Sequence, residues 1–172
     1  ALAADLGVTV GAGSEDMVAS LLSDLERLSL GASLVGEVSP RLRARVLSAG
    51  ELLSTRLGAA FLEAQGVPVS WADARSLLTS GDAPSLPPSQ RYLSASCAYA
   101  PDPALAAELA ALPGVVLTQG FIARNPDGET VLLGRGGSDT SAACFAARLQ
   151  AERCEIWTDV PGMYTANPRQ IP

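Results

Sequence analysis

The sequence predicts an α/β domain, and three observations carry that prediction. Apolar residues recur at intervals of three and four in several stretches, as they do on one face of a helix. Short apolar runs with strand character lie between those stretches, and strands alternating with helices are the pattern of an α/β fold. One pair of apolar runs flanks Asn125-Pro126-Asp127-Gly128, a strong hairpin turn signal. At 172 residues and 48% hydrophobic composition, the chain is about one ordinary domain and can bury a core.

From Ser14 the spacing of Met17, Leu21, Leu22, Leu25 and Leu28 predicts a helix, with Glu15 and Asp16 in its first turn, where the dipole favours acids. Ser39-Pro40 is a second start signal, an N-cap followed by proline. Between Gly50 and Gly66 a third helix is expected, with Leu53, Leu57, Ala60, Phe61 and Ala64 on one face. Residues 67–71 read as a short buried strand. Gly, Pro and Ser crowd residues 79–90, which predicts a loop inside one domain spanning 1–172. A short helix over 103–112 and a strand over 115–118 follow, then the hairpin strands 121–123 and 131–133. A glycine turn at 134–137, a helix over 138–150 and a strand over 154–158 complete the reading.

All 12 positively charged residues are arginine, and the chain has neither lysine nor histidine. That excludes Ser-His-Asp and Cys-His couples, histidine-ligated zinc, lysine Schiff bases and a Walker-type P-loop within these residues. No metal site is expected. The net charge of −6 and the absence of an arginine stripe argue against nucleic acid, though one or two arginines at a helix N-terminus still suit a small anion. No apolar run reaches the ~18 residues of a membrane span. Cys97, Cys144 and Cys154 lack C-x-x-C spacing and read as buried thiols in a reducing compartment, from which a cytoplasmic location is expected.

Three constellations can carry chemistry. Gly134-Arg135-Gly136-Gly137-Ser138-Asp139-Thr140-Ser141 stands between a strand and a helix. Its glycines let backbone amides approach an anion, and Arg135 offers a two-pronged fork to a carboxylate or phosphate. Its alternative is an ordinary tight turn with Ser138 or Asp139 as helix cap. Thr158 and Asp159 follow the last expected strand, where ligands of open α/β sheets gather, with Tyr164 and Arg169 nearby; a plain surface loop is equally compatible. Glu51, at an expected helix start, either complements the dipole or receives a ligand ammonium group. Trp71 and Asp73 read as core packing and a cap.

The segments GELLSTRLGAAFLEAQGVPVSWADAR, TQGFIA, LGRGGSDTSAA and EIWTDVPGMYTANPR occur in this order. Together they resemble the aspartate kinases of the amino-acid-kinase superfamily, and GFIAR with TDVPGMYTANPRQ is most similar to the kinase half of bifunctional aspartate kinase–diaminopimelate decarboxylases. The resemblance implies a three-layer α/β/α sandwich around a mainly parallel sheet. It also implies transfer of the γ-phosphoryl of MgATP to L-aspartate, giving 4-phospho-L-aspartate for lysine, threonine and methionine biosynthesis by the diaminopimelate route. By motif, Glu51 would take the substrate ammonium and Arg135 a carboxylate. Gly136, Gly137 and Ser138 would line the meeting point of substrate and phosphoryl group, and Asp139 would position a catalytic lysine. Thr158, Asp159, Tyr164 and Arg169 would hold the nucleotide. A homo-oligomeric parent is implied as well.

The family's Lys-Phe-Gly-Gly loop and its regulatory domains have no counterpart in these 172 residues. The expectation is therefore an internal piece of a kinase domain, incomplete at both ends and inactive alone. A non-catalytic anion- or nucleotide-binding module of the same fold is the alternative, or a kinase for another acidic amino acid such as acetylglutamate.

Overall fold

The computed structural model describes residues 12–158. Helix α1 (Ala12–Val35) and helix α2 (Pro40–Ala64) pack against each other across residues 36–39. Ser39 caps α2, its hydroxyl accepting from the Leu42 amide at 3.2 Å, and Pro40 supplies a preset first turn. The separate helix expected from Gly50 is instead the second half of α2. A mid-helix glycine costs only about 1 kcal/mol, less than the packing of a 25-residue helix supplies, so α2 runs through it. Its buried face is Ala44, Ser48, Ala49, Leu52, Ala59 and Ala60, while Phe61, expected to be inward, is exposed.

Strand β1 (Val69–Trp71) pairs in parallel with strand β2 (Val115–Leu117), Val69 opposite Val115 and Trp71 opposite Leu117. Between them lie helix α3 (Ala74–Leu77), helix α4 (Pro88–Leu93) and helix α5 (Pro103–Ala110). Asp73 caps α3 and Asp102 caps α5 through their carboxylates. The start of α4 falls within the segment expected to be wholly loop, because Pro87-Pro88 presets a helical turn as readily as it breaks a strand. The remainder of that loop is bound to its surroundings, with the Ser80 amide donating to the Arg124 carbonyl at 2.7 Å and the Gly81 amide to the Ser96 carbonyl at 2.9 Å.

Strands β3 (Ile122–Arg124) and β4 (Thr130–Leu132) form the expected antiparallel hairpin. Asn125 closes it: its amide donates to the Glu129 carbonyl at 2.8 Å, and its side-chain oxygen accepts from the Glu129 amide at 2.8 Å. Successive side chains of a strand point to opposite faces, and here both faces are buried. The pair Ile122 and Leu132 joins Ala44, Leu52 and Ala74 in one core, whereas Ala123 and Val131 join Leu78, Cys97, Leu133 and Cys144 in another. Tyr92 packs against both. Helix α6 (Gly137–Arg148) follows directly and contributes Cys144 to the second core.

A parallel pair, a buried hairpin and enclosing helices make this an α/β fold. Residues 154–158 are not a strand. None of the four described strands pairs with them, and Trp157 is 90% exposed, so apolar character alone does not make a ladder there.

Candidate functional site

The glycines between β4 and α6 divide the work. The Gly137 amide donates to the Gly134 carbonyl at 3.0 Å, closing a turn, and Gly136 has φ 68°, a left-handed conformation that side chains resist. A Cβ on Gly136 would meet nothing, so this glycine serves backbone shape and leaves its face open. At Gly137 a Cβ would stand 2.6 Å from Phe121 Cδ2 and 3.2 Å from Phe121 Cα, so this glycine serves close packing.

The capping alternative for this turn does not hold. Gly136 is the N-cap of α6, and no side chain caps the helix; Ser138 and Asp139 are exposed within the first turn. First-turn amides without a side-chain cap, with the positive end of the helix dipole, favour an anion. Arg135 is exposed beside them, and its guanidinium makes no ion pair among the described residues.

Glu51 is not at a helix start either. It lies in the middle of α2, half-buried, where the dipole gives an acid no advantage. Its carboxylate has no ion pair and no hydrogen bond among the described residues. What is tied down is its backbone: the Glu51 carbonyl accepts from the Thr55 hydroxyl at 2.8 Å and from the Ser54 hydroxyl at 3.1 Å.

The segment after β2 connects these two places. Gln119 is 1% exposed and bonded at both ends of its amide, its Nε2 donating to Thr55 Oγ1 at 2.8 Å and its Oε1 accepting from the Ala74 amide at 2.8 Å. Trp71 Nε1 donates to the same Thr55 oxygen at 3.0 Å, and the Arg56 guanidinium lies 3.5 Å over the Trp71 ring. Burial lowers the Arg56 pKa, the Asp73 charge opposing that shift. Gly120 abuts Ser138, where a Cβ would come within 2.9 Å of Ser138 Cα. The Phe121 amide donates to Ser141 Oγ at 2.9 Å, and that hydroxyl donates to the Gly137 carbonyl at 2.7 Å. Residue-by-residue reading of the sequence did not single out Thr55 or Gln119. The available signal was a polar Thr-Gln pair placed directly after an apolar strand.

Of the expected site residues, Glu51, Arg135, Gly136, Gly137, Ser138 and Asp139 thus lie on elements joined by residues 119–121. Thr158 is exposed at the end of the described chain, and Asp159, Tyr164 and Arg169 lie outside the described residues. Trp71 and Asp73 take the expected packing and capping roles. Cys97 and Cys144 are buried free thiols, as expected, and burial pushes Cys97 up to about 11 and raises Cys144 too, which disfavours their thiolates; Cys154, expected buried, is exposed. Among the described residues no group of three or more Cys, Asp or Glu side chains is placed to hold a metal, and no helix is long and apolar enough to cross a membrane.

The model of the amino acid kinase family matches residues 2–172. The chain belongs to the amino acid kinase family. The chain is 41% identical over 158 residues to the lysine-sensitive aspartokinase 3 of Escherichia coli, covering 88% of its own length and 32% of that protein. It is 39% identical to the bifunctional aspartokinase/homoserine dehydrogenase 2 of the same organism, covering 92% of itself and 18% of the relative. The chain therefore spans about a third or less of these relatives. A crystal structure of E. coli aspartokinase III with aspartate and ADP superposes with a TM-score of 0.70 at 38% identity, over 90% of this chain and 33% of that one. The aspartate kinase of Clostridium acetobutylicum, at 19% identity and TM-score 0.59, shares the fold.

Proposed function

We propose that the full-length protein is an aspartate kinase, transferring the γ-phosphoryl group of MgATP to the β-carboxylate of L-aspartate. The observation that carries this reading is the pairing of an unneutralised Glu51 with an uncapped glycine turn bearing an unneutralised Arg135, both on elements fixed by residues 119–121. Aspartate at neutral pH offers one ammonium and two carboxylates. Glu51 receives the ammonium and Arg135 a carboxylate, through a fork that holds two oxygens at once.

The reaction needs little covalent help from the protein. A β-carboxylate oxygen attacks the γ-phosphorus, the bond to the bridging oxygen of ADP breaks, and the products are 4-phospho-L-aspartate and ADP. Gly136, Gly137 and Ser138 line the place of transfer, where amides and a helix N-terminus stabilise charge spreading over the phosphoryl oxygens. Asp139 orients the lysine that the family resemblance places beside that group. Mg2+, carried on the nucleotide phosphates, neutralises further charge. Thr158, Asp159, Tyr164 and Arg169 complete the nucleotide side.

Similarity to aspartokinases favours this acceptor over acetylglutamate. A cytoplasmic homo-oligomer serving lysine biosynthesis by the diaminopimelate route fits the same reading. So does fusion to a diaminopimelate decarboxylase, although the fused relative reported above carries a homoserine dehydrogenase. The test is a coupled ADP-release assay on the full-length protein with MgATP, comparing aspartate with acetylglutamate. Aspartate-dependent turnover is the expected result. ADP release with acetylglutamate alone, or with neither acceptor, overturns the proposal.

A further inference from the structure

We propose that Gln119 is a positioning residue for the amino-acid substrate, setting the spacing between Glu51 and the glycine turn. The inference rests on the aspartate kinase reading above and adds a role to a residue that touches neither reacting group.

A continuous chain of bonds supports it. The Gln119 amide donates to the Thr55 hydroxyl, and that hydroxyl donates to the Glu51 carbonyl. Two residues beyond Gln119, the Phe121 amide donates to the Ser141 hydroxyl, which donates to the Gly137 carbonyl. One end of this relay is the turn that carries the ammonium-binding carboxylate. Its other end is the turn that carries Arg135.

Burying a carboxamide costs free energy unless both of its ends are bonded, and an apolar side chain of equal volume would fill the same space at no such cost. What the amide adds is direction. Its oxygen is held by the Ala74 amide at the start of α3 and its nitrogen by α2, so residue 119 has one orientation relative to two helices. The neighbouring Thr118 hydroxyl is buried with no partner among the described residues, so this hold on α2 belongs to Gln119 and not to the Thr-Gln pair as a unit. The backbone beyond it is equally constrained. Phe121 has φ 69°, a strained value for a residue with a side chain, and the Ile122 amide donates to the Gly120 carbonyl at 2.8 Å across it. With the backbone of residues 119–121 pinned at both ends, a change at Gln119 is transmitted to Gly120 and its contact with Ser138 rather than absorbed.

The test uses the full-length protein and steady-state kinetics for each substrate, with a thermal melt of every variant. Gln119→Met and Thr55→Val remove the link at nearly constant volume, and Thr55→Ser keeps the hydroxyl. The first two are expected to raise the KM for aspartate about tenfold, the worth of one well-made hydrogen bond at ~1.4 kcal/mol per decade. The KM for MgATP should stay within about twofold, and Thr55→Ser should behave as wild type. The double variant Gln119→Met with Thr55→Val should raise the KM for aspartate by less than the product of the two single effects, because the two changes share the Gln119–Thr55 bond. Unchanged KM for aspartate in folded variants, or equal rises for both substrates, overturns the positioning role. Should Gln119→Met fail to fold, the Thr55→Val and Thr55→Ser pair decides by the same criterion. A wild-type protein without aspartate-dependent ADP release overturns the kinase reading and this role with it, whereas an active wild type with unmoved variants overturns this role alone.

Discussion

The charged side chains that tie elements of the fold together and those of the expected site are treated in opposite ways. In the fold, Asp102 pairs with Arg148, Asp73 pairs with Arg75, and Glu129 is held by Arg41, the Tyr92 hydroxyl and Asn125. Each of these groups also caps a helix, closes a turn or joins two elements. At the expected site, by contrast, Glu51, Arg135 and Asp139 have neither ion pair nor side-chain hydrogen bond among the described residues, although their backbones are fixed. A fold gains nothing from charges left in this state. A ligand carrying both signs of charge does, because preorganised groups need no rearrangement to receive it.

The contrast yields its largest expected effect at Arg135. Under the proposed activity, Arg135→Ala in the full-length protein raises the KM for aspartate by about 100-fold or more, since two charge-assisted hydrogen bonds at ~1.5 kcal/mol each are lost. Calorimetric titration with aspartate should show no binding, while the melting temperature stays that of the wild type. Unchanged affinity refutes the assigned role, and a lowered melting temperature would place Arg135 with the structural charges instead.

Gly137→Ala is next in size and acts on the boundary between the two regions. The added methyl meets the Phe121 ring and backbone, which cannot retreat from a residue pinned on both sides, so stability falls by about 1–3 kcal/mol. Gly136→Ala meets no atom and incurs only the left-handed backbone penalty of about 1 kcal/mol. Denaturant midpoints for the two variants should therefore differ, with Gly137→Ala the lower. The reverse order would mean that backbone strain and not packing governs the turn.

How much of this could be read from sequence depends on whether the deciding interaction is local. The hairpin was legible because Asn125-Pro126-Asp127-Gly128 encodes its own turn, and the start of α2 was legible from Ser39-Pro40; the helix expected over 103–112 is α5, whose Asp102 cap the structure adds. Residues 154–158 were misread because a strand needs a neighbour, which no local pattern supplies. Gly50 was misread as a boundary because its helix is sustained by packing along its whole length rather than by propensity. At the expected site, GRGGSD was legible as a glycine turn before a helix, the shape that suits an anion, and Glu51 entered only through the family motif. The Gln119 relay was not legible, since it joins positions 55, 74 and 119 that only the folded chain brings together.

The smallest expected effect tests the structural side of the comparison. The Leu105 amide, followed by the Arg148 guanidinium, holds the Asp102 carboxyl below its ordinary 3.8. A carboxylate whose pKa is depressed by folding stabilises the native state at every pH above its unfolded value, and that contribution disappears as pH falls through the folded value. Asp102→Asn keeps a side-chain oxygen to cap α5 but removes the charge facing Arg148. The variant should melt slightly below wild type at pH 7, and the gap should close as pH falls through the depressed folded value, where the wild-type carboxyl becomes protonated. The KM for aspartate at pH 7 should not move. A gap that persists undiminished at low pH would mean that Asp102 acts through shape and not through its charge, and a shifted KM would dissolve the division between charges that hold the fold and charges that meet the substrate.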